Sequence, residues 1–323
     1  MSPLPFLRRP AAPVAAAPAA REAVPREVMR QVRLIELRTR GLVASLFSGE
    51  YHSVFRGQGM EFAEVREYQP GDDVRNIDWN VTARIGVPYV KKHIEERELT
   101  VMLLVDLSGS EQFGTRGRFK AELVAEIAAV LALSAVRNND RVGLIIFTDR
   151  IEHVVPPRKG RRHVLRLIRD VLAFRPRAQG TDVAAALDYA ARLLRHRSIL
   201  FVLSDFVPPS AGLEDAPGWE KSLKLVAQRH DLVAIRVTDE AEENLPDAGL
   251  LMLLDPETGE LVGVDTSSED VRAQYAERIA AERANVQRVF RRVGVDEIQT
   301  RTGESYVVPL LAFFRRRERK GRR

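Results

Sequence analysis

Val101-Met-Leu-Leu-Val-Asp-Leu-Ser-Gly-Ser110 is the stretch on which the reading of this chain turns. Its first five residues are apolar without a break, too continuous for a strand with one wet face, so Val101 to Val105 is expected as a central strand covered on both sides. The run ends in Asp106, Ser108 and Ser110, with Leu107 and Gly109 between them. In an open α/β sheet, ligands bind where loops leave the carboxyl ends of the strands. One carboxylate and two hydroxyls at alternate positions of a tight loop can converge on a hard cation. Mg²⁺ prefers such oxygen ligands and keeps some of its waters.

Outward from this strand, the pattern predicts alternation of strands and helices. A helix is expected over 118–137, a strand over 142–147, and an edge-like strand over 151–155 stopped by Pro156-Pro157. Helices follow at 161–173 and 182–195, then a strand over 199–203, a helix over 218–229 and a strand over 232–237. That order predicts a doubly wound, mostly parallel sheet over residues 99–240, with the core ending at Asp239. Residues 241–314 read as a short β segment over 250–264 and helices over 269–292 and 305–316. Before the core, 25–98 combines a helical segment with a smaller β-rich subdomain. The helix carries Val28, Val32, Leu34, Ile35 and Leu42 at near-helical spacing, and the subdomain has strand-like runs over 61–68 and 87–94. Residues 1–24 form an Ala/Pro-rich leader expected to be disordered, and 315–323 a basic tail.

Two further loops join the first. Gln179-Gly-Thr-Asp182 precedes a helix, and Ser204-Asp205 closes the strand over 199–203. Singly, Asp106 or Asp205 reads as a strand-end turn residue, and Thr181 or Asp182 as a helix N-cap. Together, each at a strand exit or helix entry, they read as one site. Asp106-x-Ser-x-Ser110 followed by Thr181 and Asp205 resembles the metal-ion-dependent adhesion site of von Willebrand factor A domains. Upstream, Gly57-Gln-Gly-Met-Glu-Phe62, the run Arg66-Glu-Tyr-Gln-Pro-Gly-Asp-Asp-Val-Arg75 and Ile77-Asp-Trp79 resemble the signature of the bacterial domain-of-unknown-function 58 family. Ala83-Arg84 and Glu95 to Arg97 extend the match. The resemblance implies a von Willebrand factor A-like fold and a Mg²⁺ site, with Mn²⁺ or Ca²⁺ as alternatives. It also implies partnership with a MoxR-type AAA+ ATPase in assembling or activating a client protein. Many members of that family carry membrane segments.

The signature residues Tyr68, Pro70, Gly71, Asp72, Asp73, Arg75, Asp78 and Trp79 have a physical reading of their own. Pro70-Gly-Asp-Asp73 is a strong turn former, Arg75 can pair bidentately with Asp72 or Asp78, and Trp79 offers an apolar anchor. The segment is either a rigid turn holding the β subdomain against the sheet or a docking face for a partner.

Composition narrows the function classes. The 323 residues include no cysteine, which excludes disulfides, thiolate ligands and a cysteine nucleophile and fits a cytoplasmic location. No apolar run approaches the roughly 18 residues of a membrane helix. The net charge of +5 is concentrated in the last nine residues, where seven basic side chains stand against Glu318, so specific nucleic-acid recognition is not expected. Metal-dependent phosphatases of similar topology need a second acid two residues after the nucleophilic aspartate, and Ser108 stands there. Phosphate-binding glycine loops are missing, and the six histidines have no metal-ligand spacing. The expectation is therefore a non-catalytic protein-binding module, with a phosphoesterase using Asp106 as the rival.

Overall fold

The computed structural model describes residues 26–47, 61–94, 98–112, 119–178, 180–207, 218–254 and 261–321. The leader, Gly57 to Met60, Glu95 to Arg97 and the last two arginines lie outside the described residues.

A six-stranded sheet organises the chain. Its strands are β3 (Thr100–Asp106), β4 (Arg141–Phe147), β5 (Ile151–Arg158), β6 (Ile199–Ser204), β7 (Asp231–Thr238) and β10 (Asp296–Arg301), in spatial order β10-β7-β6-β3-β4-β5. All neighbours are parallel except the antiparallel pair β4 and β5. This is the doubly wound arrangement expected. The period of two along β3 sends its side chains to opposite faces. Val101, Leu103 and Val105 join one buried cluster, and Met102 and Leu104 join the other. The first face is covered by α1 (Arg26–Phe47), α3 (Lys120–Arg137), α4 (Arg161–Ala173) and α9 (Val307–Gly321). On the second lie α5 (Val183–Leu193), α6 (Glu220–Arg229) and α8 (Glu269–Val293).

Strand order places the topological switch beside β3. The chain moves from β3 to β4 and β5 on one side, then to β6, β7 and β10 on the other. The segments after β3 and β6 lead to helices on opposite faces, α3 and α6, and so part from each other at the carboxyl end of the sheet. Such a divergence makes a crevice.

Three expectations need correction. The core does not end at Asp239, because β10 adds a parallel edge strand to β7 and its neighbouring helices cover both faces. β5 is not stopped by Pro156-Pro157 but runs to Arg158. It lies at the edge of the sheet, and its register slips between Val142 and Leu144 of β4, so that Pro156 and Pro157 fall in the irregularity and not in the regular ladder. Close packing accompanies the slip: a Cβ on Gly143 would sit 3.0 Å from the Pro157 ring and 2.8 Å from Met102 Cε. The basic tail, finally, is helical as far as Gly321. Its Arg317 is only 15% exposed and bonds Asp231 at 2.7 Å and Asp296 at 2.7 Å, fastening α9 to the starts of β7 and β10.

The N-terminal part divides as its composition changes. Val32, Ile35 and Val43 of α1 are buried and Leu34 faces outward, so this helix belongs to the first face of the sheet. β1 (Glu61–Glu67) and β2 (Tyr89–Ile94) form a two-stranded antiparallel ribbon, bridged by a 3₁₀ turn at Val74–Asn76 and the short helix α2 (Trp79–Ile85). After the core come α7 (Glu240–Glu243) and the hairpin β8 (Leu250–Leu254) and β9 (Leu261–Asp265), with Leu250, Met252, Leu261 and Val262 exposed.

Asp140, at the entry to β4, gives the fold a pH dependence. Its Oδ1 accepts the Leu99 N–H at 2.9 Å, while its Oδ2 is buried without a partner. Burial pushes the carboxyl up to about 7, against the opposing pull of the Leu99 N–H and of Lys159. A pKa raised above its unfolded value contributes stability at acid pH that is lost as pH climbs from about 4 through 7. Asp140→Asn should therefore leave stability near pH 4 almost unchanged. At pH 8 it should raise stability by on the order of 2 kcal/mol, discounted for partial screening. Urea unfolding at the two pH values checks this, and equal effects at both would refute it.

Candidate metal centre

The acidic residues at the carboxyl end of the sheet are held by the backbone that follows each strand. Asp106 is the last residue of β3, paired across to Phe147 of β4. Its Oδ1 accepts the Ser108 N–H at 2.9 Å, and its Oδ2 accepts the Ser204 hydroxyl at 2.7 Å. The Ser108 and Ser110 hydroxyls lie 3.1 Å apart in the turn that follows. From β6 comes Asp205, whose Oδ1 accepts the Val207 N–H at 3.3 Å and whose Oδ2 accepts from Lys120 Nζ at 2.9 Å. The next residue, Phe206, sits at φ 57°, in the left-handed region that non-glycine residues seldom occupy. Packing of its buried ring against Trp219 and Phe290 holds it there.

Thr181 is buried directly before α5. The neighbouring Asp182 N–H donates to Thr148 O at 2.8 Å, which brings this loop to the end of β4, while the Asp182 side chain caps α5 through Ala185 N. The structure thus draws Asp106, Ser108, Ser110 and Asp205 into one bonded cluster and sets the Thr181 loop at the same end of the sheet.

Four participants were not legible as site residues. Ser204 holds Asp106. Glu111, in the 3₁₀ turn Gly109–Gln112, places a carboxylate oxygen so that it and oxygens of Asp106 and Asp205 all lie within 4.8 Å of one another. Lys120 is wholly buried at the start of α3 and reaches Asp205 at 2.9 Å and Glu242 at 2.7 Å, with Glu111 4.0 Å away. Glu242 stands on α7 after β7, where its other oxygen accepts the Asp239 N–H at 3.1 Å. One signal for Lys120 was present: it lies in helical phase with Leu123, Val124, Ile127 and Leu131, the buried stripe of α3. Glu242 is far away in sequence and carried none.

Electrostatics follow from this crowding. Burial, then the charge of Asp205, pushes the Asp106 carboxyl above its ordinary range. Burial does the same to Glu111, more strongly than Lys120 can offset. At Asp205 burial, the largest influence, also acts upward, but the Lys120 ammonium together with hydrogen bonds from Ser110 and the Val207 N–H outweighs it and holds the carboxyl down. Burial would discharge Lys120, yet the charges of Asp205, Glu111 and Glu242 prevail and keep it cationic. With one cation among four carboxyl groups, the cluster retains an excess of negative charge or binds protons. Three close carboxylates, hydroxyls beside them and an excess of negative charge are a donor set that fits a hard divalent cation.

The signature residues occupy the N-terminal ribbon. Pro70 and Gly71 form a turn closed by Asp72 N–H to Gln69 O at 3.0 Å, with Gly71 at φ 110°. The Tyr68 N–H donates to Pro88 O at 2.9 Å. The expected Arg75 pairing gives way to another: Asp72 pairs with Arg66 at 2.6 Å, and Asp78 caps α2 through Asn80 N and Val81 N. Asp73 caps the 3₁₀ turn through Arg75 N. Trp79 is no core anchor, being 69% exposed together with Val74, Ile85 and Val87 nearby.

Comparison with known proteins agrees with the upstream signature. An uncharacterized protein of Mycobacterium tuberculosis (strain H37Rv) is 33% identical over 290 residues, covering 89% of each chain. A shorter match, 28% over 107 residues, covers 33% of this chain and 25% of the uncharacterized YeaD of Bacillus subtilis. Among solved structures, an aerotolerance-related membrane protein from Bacteroides fragilis is 16% identical, covering 69% of this chain and 99% of that one at a TM-score of 0.45. The von Willebrand factor A domain of SpRpn10 is 13% identical, covering 67% and 94% at 0.35. Among the described residues no helix is long and apolar enough to cross a membrane.

Removal of the buried ammonium tests the cluster directly. Lys120→Met should destabilise the metal-free protein by about 3 kcal/mol, because Asp205 would be left buried, and Glu242 half-buried, without their cation. Chemical unfolding in chelator measures it; a loss below 1 kcal/mol would mean that the carboxyl groups are neutral in the folded state. A family model for a protein of unknown function, DUF58, matches residues 64–285, and with the mycobacterial relative it shows that this chain belongs to that family.

Proposed function

We propose that this chain is a non-catalytic, metal-dependent protein-binding module that holds Mg²⁺, or Mn²⁺ or Ca²⁺ in its place, through Asp106, Ser108, Ser110, Thr181 and Asp205. The observation that carries the reading is the convergence of the Asp106, Glu111 and Asp205 carboxylates within 4.8 Å at the crevice between diverging loops. Mg²⁺ keeps exchangeable positions when protein ligands do not fill its shell, so a carboxylate from a partner can join it. The cation then bridges two proteins. Family resemblance supports the further reading that the partner is a MoxR-type AAA+ ATPase, acting with this chain in the cytoplasm to assemble or activate a client.

Hydrolysis is the less supported use of the same residues. A phosphoesterase using Asp106 as nucleophile would need an acid to protonate the leaving group, and the residue two positions on is Ser108. Around Asp106 the bonding partners are hydroxyls and a backbone N–H, groups suited to holding a carboxylate.

Affinity capture from native lysate by the tagged full chain, in Mg²⁺, in chelator and with Asp106→Ala, tests the reading. An AAA+ ATPase or client retained in Mg²⁺ and lost in both other arms is the expected result. Proteins retained equally in all three would remove the cation from the interface and leave the exposed Trp79 face as the docking surface. Phosphoester turnover that disappears with Asp106→Ala would establish the hydrolase instead.

A further inference from the structure

Glu111 lies outside the Asp-x-Ser-x-Ser spacing, yet it is the carboxylate with the least satisfied surroundings in the described chain. Its backbone is fixed, with N–H donating to Ser108 O at 3.1 Å. Its side chain is wholly buried, and neither carboxylate oxygen has a hydrogen-bond partner. Lys120, at 4.0 Å, is beyond hydrogen-bond reach and directs its short contacts to Asp205 and Glu242. Among the described residues no positive group lies nearer to them than Lys120 at 4.0 Å, and one of the two oxygens lies within 4.8 Å of oxygens of Asp106 and Asp205.

The charges fit the same gap. Lys120 is matched by Glu242 and shared with Asp205, which leaves Asp106, Glu111 and Asp205 facing one another with more carboxyl groups than cations. We propose that Glu111 is a direct ligand of the divalent cation, supplying from within the chain the carboxylate that an open adhesion-type site takes from its partner. This rests on the metal-binding reading and deepens it. The site is complete without a partner, and a partner's carboxylate gains the cation only by displacing Glu111.

Mn²⁺ titration of the full chain, followed by calorimetry and by the spin-resonance signal of free Mn²⁺, tests this in the wild type, Glu111→Gln, Glu111→Asp and Asp106→Ala, each also melted in chelator. Glu111→Gln should weaken Mn²⁺ binding by at least about tenfold. Glu111→Asp, which keeps the charge on a shorter arm, should fall between it and the wild type. In chelator, Glu111→Gln should melt at the wild-type temperature or above, since an amide replaces an unpartnered buried carboxyl. Unchanged Mn²⁺ affinity in Glu111→Gln would overturn the proposal while Asp106→Ala still tests the site. A lower melting temperature for Glu111→Gln in chelator, or failure to fold, would also overturn it by assigning Glu111 a structural role. If the wild type takes up no Mn²⁺, the metal-binding reading falls and the proposal falls with it.

Discussion

A single ammonium group makes the carboxyl end of this sheet possible. Lys120 is buried on α3, yet it meets carboxylates from two different loops of the sheet's carboxyl end: Asp205 just after β6 and Glu242 on the short helix after β7. Desolvating a lysine is costly unless its charge is matched. Here the matching groups are themselves desolvated carboxylates that would repel one another without it. By delivering a cation to the edge of Asp106, Glu111 and Asp205, α3 offsets part of the repulsion among them. Without it, negative charge would force the loops after β3 and β6 apart or compel the carboxyl groups to bind protons.

That dependence extends to the C-terminal part of the chain. Glu242 is oriented by the capping box of α7, in which Asp239 accepts from Ala241 N at 2.9 Å and donates its own N–H to Glu242. Asp239 in turn receives the Thr302 hydroxyl from the residue after β10. The edge strand is stitched to β7 by Arg236 with Glu297 at 2.6 Å and by the Thr300 hydroxyl to Arg236 O at 3.1 Å. A path of bonded groups thus runs from β10 through Asp239 and Glu242 to Lys120 and the acidic cluster. The C-terminal strand and helices are part of what positions the site, although the motif residues all precede them.

The parts of this structure that could be read from the sequence were those with strong local signals. Val101 to Val105 is apolar on both faces and became the central β3; α5 and α6 followed their periodicity. β10 was missed because Asp-Glu-Ile-Gln-Thr-Arg has one apolar residue, Ile298, and is held at the edge by threonine hydroxyls and an ion pair instead. Pro156-Pro157 misled because a proline stops a central strand but is tolerated at an edge. At the candidate site, Asp106, Ser108, Ser110 and Asp205 were visible because they stand at the end of an apolar strand or within four residues after it. Glu111 belonged to no spacing, and Lys120 and Glu242 meet only after the fold closes, which no local pattern encodes.

Phe206 shows how firmly the second half of the site is set. A left-handed φ costs a residue with a Cβ on the order of 1 kcal/mol, and persists only where the surroundings impose it. The ring of Phe206 is clasped between Trp219 at 5.8 Å and Phe290 at 5.1 Å, groups that come from α6 and α8 on the second face. Its N–H donates to Ser204 Oγ at 3.0 Å, and that same hydroxyl donates to Asp106. The turn that aims Asp205 at Lys120 is therefore locked to the carboxylate of β3 through one serine and to the hydrophobic core through one aromatic ring. Asp205 cannot swing away without pulling Phe206 from its packing against Trp219 and Phe290. The Glu111 side chain, by contrast, has no hydrogen bond to hold it and is the least restrained of the three carboxyl groups.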